Sequence, residues 1–86
     1  MGSYRIFLKE SAAKELEALP RKDRERAATR IASLARDPRP PGSEKLAGYE
    51  DRYRVRQGRY RILYSIADRE LVVWIVKVGH RRDVYR

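Results

Sequence analysis

The chain has 86 residues, with 21 Lys and Arg against 12 Asp and Glu, a formal charge of +9 at pH 7, and no cysteine. That length supports a single modest core, so any function sits on the surface, and the cysteine count excludes a disulfide framework, a thiolate metal site and a cysteine nucleophile. The basic excess suits a polyanion such as RNA, DNA or a ribosome, and charge alone does not choose among them.

Tyr4-Arg5-Ile6-Phe7-Leu8 is short and rich in aromatic and branched residues, which predicts a first strand, and Ser11 then serves as N-cap of a helix over residues 12–19. Pro20 ends that helix or opens the next. Ala27, Ile31, Leu34 and Ala35 recur at helical spacing and predict a second helix over 21–36, so the two form a hairpin. Asp37-Pro38-Arg39-Pro40-Pro41-Gly42-Ser43 cannot continue a helix, because its prolines lack donors and restrict the residues before them. It is a loop within the domain. Residues 50–56 and 59–66 predict a β-hairpin, and Ala67-Asp68-Arg69-Glu70 turns into a run over 71–78 that is apolar on both faces. Such a run predicts a central strand with one face on the helices and the other partly covered. The expected fold is α+β, in the order β-α-α-β-β-β, a helical hairpin packed on a mostly antiparallel four-stranded sheet, with residues 1–86 as one domain. No segment approaches the roughly 20 apolar residues of a membrane span, and the N-terminus has no long apolar signal region, so a cytoplasmic protein without membrane contact is expected.

The hairpin carries the most informative pattern. Closed at Gln57-Gly58, it sets Arg56 opposite Arg59 and Arg54 opposite Arg61, while Val55 and Tyr53 face Tyr60 and Ile62 on the other side. One face is then apolar and the other all guanidinium. Like charges directly opposed on a sheet cost a few tenths to about 1 kcal/mol per pair, which an anionic partner would offset. The plainer alternative is a solvated strand face. Tyr4, Tyr49, Tyr53, Tyr60, Tyr64, Phe7 and Trp74 are expected to pack in the core or on the sheet rather than to stack on bases. Arg24, Arg26 and Arg30 read as the solvent face of the second helix. The acidic residues form no compact ligand cluster, and neither a glycine-rich phosphate loop nor a serine nucleophile motif occurs, so no metal and no small-molecule cofactor is expected.

Taken in order, the short strand and helical hairpin, Leu46-Ala47-Gly48-Tyr49, Tyr53-Arg54-Val55-Arg56, Gly58-Arg59-Tyr60-Arg61-Ile62-Leu63-Tyr64 and Val78-Gly79-His80-Arg81-Arg82-Asp83-Val84-Tyr85 resemble the RelE family of bacterial and archaeal toxins, the toxic halves of type II toxin and antitoxin pairs. The resemblance covers nearly the whole chain. It implies an mRNA endonuclease, an mRNA interferase that acts on the message in the ribosomal A site and is silenced by an antitoxin of the RelB type. It also implies a basic, concave sheet face as the active surface. On that pattern Arg54 and Arg56 occupy positions where the family has paired lysines, Arg61 the strand arginine, Arg81 the arginine after the last long strand, and Tyr85 the C-terminal tyrosine. Arg59 and Arg82 add positive charge for RNA.

Metal-independent RNA cleavage needs a proton acceptor for the attacking 2'-hydroxyl, stabilisation of the phosphate oxygens, and a proton for the leaving 5'-oxygen. Arg61 and Arg81 suit the phosphate, with their planar forks of donors. Arg54 and Arg56 can neutralise charge but, as arginines, are poor bases. Tyr85 can act as base beside positive charge, or stack on a nucleobase. His80, the single histidine, can be an acid, a base or a neutral hydrogen-bond partner, or a structural residue at a strand end. Two other readings stand beside the interferase. A ParE-like inhibitor of DNA gyrase, by the same resemblance, shares the fold and the antitoxin partnership but need not retain the basic sheet positions, so that Arg54, Arg56, Arg61, Arg81 and Tyr85 argue against it. The other is a non-catalytic RNA or ribosome binder whose arginines act through counterion release.

Overall fold

The computed structural model describes residues 3–80. The elements are β1 (Arg5–Leu8), α1 (Glu10–Glu17), α2 (Arg21–Ser33), β2 (Glu44–Lys45), β3 (Arg52–Gln57), β4 (Tyr60–Ala67) and β5 (Val72–His80). The strands form one sheet in the order β1-β5-β4-β3-β2, with β1 parallel to β5 and the other neighbours antiparallel. This is the α+β arrangement expected, with one strand more: β2, two residues long, adds to the outer edge of β3 through Glu44 and Lys45. A two-residue strand of charged residues leaves no apolar run in the sequence by which to find it.

Helix α1 begins two residues earlier than Ser11 would have it. Lys9 is the N-cap, without a side-chain cap bond, and Glu10 places its carboxylate in the first turn, where the helix dipole favours negative charge. Helix α2 stops at Ser33, short of the expected 36. Leu34, Ala35 and Arg36 donate to the carbonyls of Ile31, Ala32 and Ser33, a tightened final turn that uses otherwise orphaned acceptors.

Both helices lie on one face of the sheet. Ala12, Ala27, Ile31 and Leu34 meet Val55, Ile62, Tyr64, Ile66, Val73, Ile75 and Val78 in a single buried cluster. Small alanines on each helix let the backbones approach the strands closely. Tyr64 is fully buried and donates its hydroxyl to the carbonyl of Pro38 at 2.7 Å, which pins the proline loop to the sheet. Burial pushes its phenol up to about 12.

Arg39, on the same loop, closes the rim of this layer. Its guanidinium grips Asp68 in a bidentate pair at 3.1 and 2.9 Å, donates from Nε to the Tyr53 hydroxyl at 3.0 Å, and lies 5.1 Å above the Tyr53 ring. Tyr4 donates to the same carboxylate at 2.7 Å. Those bonds from Arg39 and Tyr4 hold the Asp68 carboxyl at about 2, below the usual carboxylate range.

The edge of β5 is managed in two pieces. β1 pairs with it only from Val72 to Ile75. Beyond that point α1 takes over: Glu15 accepts the Val78 N–H at 3.0 Å on one oxygen and the Lys77 ammonium at 3.2 Å on the other. One carboxylate thereby satisfies an edge donor that would otherwise await another strand.

Candidate nucleic-acid interface

Alternation along the strands sends every second side chain to the face away from the helices. On β3 these are Arg52, Arg54 and Arg56; on β4, Arg61, Leu63 and Ser65; on β1 and β5, Arg5, Phe7, Val72, Trp74, Lys77 and Gly79. A register shift between Leu63 and Tyr64 leaves Val76 without a Cα partner and interrupts the alternation on β5, so that Trp74 and Lys77, three positions apart, share this face.

The hairpin closes one step later than Gln57-Gly58. Its turn is Gly58-Arg59, with Gly58 at φ +60 in the first central position, the place where a II′ turn requires glycine. The register therefore changes by two residues while the faces stay the same. Arg56 lies opposite Arg61, Arg54 opposite Leu63, Val55 opposite Ile62 and Tyr53 opposite Tyr64. One opposed arginine pair exists where two were expected, and Arg59 sits in the exposed turn, off the arginine row.

The surviving pair is asymmetric. Arg56 is exposed and Arg61 is only 4% exposed, the one charged residue that is buried among the described residues. Arg54 is held by Glu44 of β2 at 2.6 Å. That bond draws the Glu44 carboxyl below its ordinary range. The short β2 thus supplies an acid to the middle of the face, so the face is not purely guanidinium.

Between α1 and the segment that follows β2 lies an open cleft of about 740 Å3, walled by Ser11, Glu15, Lys45, Tyr49, Arg54 and Lys77, with Leu63 and Val76 on its floor. Lys77 and Glu15 are residues that reasoning from the sequence did not single out. Strand alternation carried past Ile75 places Lys77 on the Arg54 side only if the bulge is known, and Glu15 reaches the cleft only through tertiary packing. Of the aromatics expected in the core or on the sheet, Phe7 and Trp74 stack on the sheet while staying partly exposed, and Tyr49 is exposed.

His80 registers with Tyr60, and the two rings meet edge to face at 5.8 Å. Tyr60 in turn faces Gln57, which lines a depression against α2. His80 is therefore on the helix side of the sheet, across the backbone from Arg56 and Arg61, because it lies two positions past the inward-facing Val78. Arg81, Arg82 and Tyr85 lie outside the described residues. On the second helix Arg24 and Arg26 are exposed, whereas Arg30 is partly buried. Among the described residues no group of three or more His, Asp or Glu is arranged to hold a metal ion, and no helix is long and apolar enough to cross a membrane.

What this arrangement can do chemically is hold an extended polyanion across the open face, with a guanidinium row at one end and a cleft at its centre. A model of the ParE toxin of type II toxin–antitoxin systems matches residues 6–85. The mRNA interferase toxin RelE of Escherichia coli (strain K12) is 31% identical over 87 residues, covering 96% of this chain and 90% of that protein. The archaeal RelE–RelB complex from Pyrococcus horikoshii superposes with a TM-score of 0.83 at 30% identity, over 94% of this chain and 98% of that one. The isolated Escherichia coli RelE toxin gives a TM-score of 0.81 at 30% identity, over 96% and 92%.

Proposed function

Because the chain belongs to the RelE/ParE family of toxins from type II toxin–antitoxin systems, we propose that it is an mRNA interferase: an endoribonuclease that cleaves mRNA in the ribosomal A site, in the cytoplasm, until a RelB-type antitoxin covers it. The observation that carries this reading is the row of arginines, Arg52, Arg54, Arg56 and Arg61, that strand alternation brings to one face of the sheet. Guanidinium forks set side by side on one face suit the phosphate oxygens of an anion lying over them. The similarity to a protein named as an mRNA interferase supports RNA as that anion.

The chemistry is in-line attack of a 2'-hydroxyl on its own phosphate, leaving a 2',3'-cyclic phosphate and a free 5'-hydroxyl. Arg61 and Arg81 bind the non-bridging oxygens and stabilise the charge that grows there. Arg56 and Arg54 hold the backbone on either side, with Arg54 aligned by Glu44. Neither can take a proton, since a guanidinium stays charged. We assign proton transfer to Tyr85 in preference to His80, whose position against Tyr60 is on the other side of the sheet. No metal or small-molecule cofactor enters these steps.

The test is incubation of a defined mRNA with the purified protein, with and without programmed ribosomes, mapping new ends by primer extension. New ends only on ribosomes, carrying cyclic phosphate and lost in Arg61→Ala, are the expected result. An intact message under both conditions would sink the interferase reading. A second reading, gyrase inhibition, is favoured by the ParE description of the matching family model; it predicts loss of negative supercoiling activity when the protein is added to gyrase, with mRNA untouched. A binder without chemistry would instead give RNA association that falls steeply with salt and produces no new ends.

A further inference from the structure

Phe7, Trp74, Ser65 and Arg52 are successive Cα partners across β1, β5, β4 and β3, so they form one row straight across the open face. Phe7 and Trp74 stack on each other with ring centroids 5.1 Å apart and an interplanar angle of 29°. They stay 39% and 41% exposed. The Arg5 guanidinium lies 5.7 Å from the Phe7 ring centre, and that of Arg52 lies 4.7 Å from the centre of Tyr49, itself 51% exposed. The row thus has an aromatic station at each end, each with an arginine already laid on a ring, and the small Ser65 leaves a dip between them.

We propose that this row is a base-stacking platform for single-stranded RNA, on which unpaired nucleobases lie against Trp74 and Phe7 at one station and Tyr49 at the other. The proposal rests on reading the open face as an RNA surface and names a part of that surface to which no role has been given. Ser65 lies four positions from Arg61 along β4, about 13 Å at the rise of a strand. Bases held on the row therefore place the backbone so that a phosphate one or two nucleotides further on reaches Arg61. Charge decides between occupants. A purely apolar protein segment gains nothing from Arg5 and Arg52, whereas a nucleotide uses both halves of each station, the ring for its base and the guanidinium for its phosphate. The aromatic row is also continuous with the cleft through Arg52 and Tyr49, which belong to both.

Trp74 is the single tryptophan, so its fluorescence reports on the row directly. The experiment titrates the full-length protein with a 12-nucleotide oligouridylate and with the matching abasic ribose-phosphate oligomer, following tryptophan emission and the anisotropy of an end label. Saturable quenching by the oligouridylate alone is expected, with the abasic oligomer bound about 5- to 150-fold more weakly, the factor that one base-on-ring stack carries. Trp74→Ala should lose the same factor for oligouridylate, and Trp74→Phe, which keeps a ring and guards against a folding defect, should recover most of it. Binding without quenching, or equal affinity of Trp74→Ala and the parent, would overturn the platform. So would loss of antitoxin binding in Trp74→Ala with RNA affinity unchanged, which would make the row a protein contact. If quenching is seen but ribosomes carry no cleaved message, the platform stands and the interferase reading falls. If message is cut equally by the parent and Trp74→Ala without quenching, the reverse holds.

Discussion

Arg61 and Ile62 are chain neighbours on β4, and they belong to different worlds. Ile62 is fully buried and faces Val55 and Val78 across the sheet, in a layer sealed by alanines and isoleucine from the helices. Arg61 is almost as buried, but it points the other way and faces Arg56 and Gly79. The helix side follows the rule that apolar surface is removed from water, at roughly 25 cal/mol per Å2. The open side violates it, with a charge row, an acid–base pair at Glu44 and Arg54, and an exposed aromatic stack. Local conflicts of this kind mark the part of a small protein selected for something other than folding. The core specifies the sheet, and the sheet aligns the conflict.

The sharpest way to break that comparison is to substitute the two neighbours separately. Arg61→Ala removes the donor proposed to hold the transferring phosphate and should lower cleavage on ribosomes about 10²- to 10³-fold, the usual cost of losing one charge-stabilising donor. Its far-UV circular dichroism should match the parent. Retained cleavage would remove Arg61 from the chemistry. Ile62→Ala should do the converse, costing about 2–5 kcal/mol in urea unfolding while the folded fraction keeps its activity. A loss comparable to the whole stability of a small domain, about 5–15 kcal/mol, would show the core to be more cooperative than its contacts suggest. Glu15→Ala tests the seam between the two sides, since Glu15 comes from the helix layer and serves an edge at the cleft. Leaving the Val78 N–H without its acceptor should cost about 1 kcal/mol. Unchanged unfolding midpoints would mean that water replaces the carboxylate fully.

The helix side was largely legible in the sequence. Ala27, Ile31 and Leu34 recur at the period of a helix, and all three are buried where that period puts them. Faces were legible too, because alternation survives a change of register by two. What failed was the register itself, which depends on whether glycine enters the turn first or second. Gly58 at φ +60 occupies the first position, a choice that Gln57-Gly58-Arg59 does not reveal on its own. That single step turned two opposed arginine pairs into one and sent Arg59 to the tip. Trp74 was expected in the core or on the sheet, and it packs on the sheet, stacked on Phe7 and 41% exposed; a run apolar on both faces does not say which side chains stay in reach of solvent. Lys77 and Glu15 were invisible for another reason: they meet over a separation of 62 residues, which no local pattern encodes.

The smallest effect expected lies at the rim, where the helix side is closed by charge rather than by apolar packing. Asp68 is held by Arg39 and Tyr4 at about 2, below the 3.8 of an ordinary aspartate. A carboxyl with a depressed value binds fewer protons folded than unfolded in that interval, so its contribution to stability is complete above the ordinary value and fades as pH falls through about 2. Asp68→Asn should therefore melt below the parent at pH 7, and the two melting temperatures should converge as the pH approaches 2. The difference should be modest and should shrink with added salt, because both partners are about half exposed and screened by solvent. Cleavage on ribosomes at pH 7 should be the same in both, since neither Arg39 nor Asp68 reaches the open face. A change in cleavage with no change in melting would mean that the proline loop, and not the sheet alone, holds the arginine row in place.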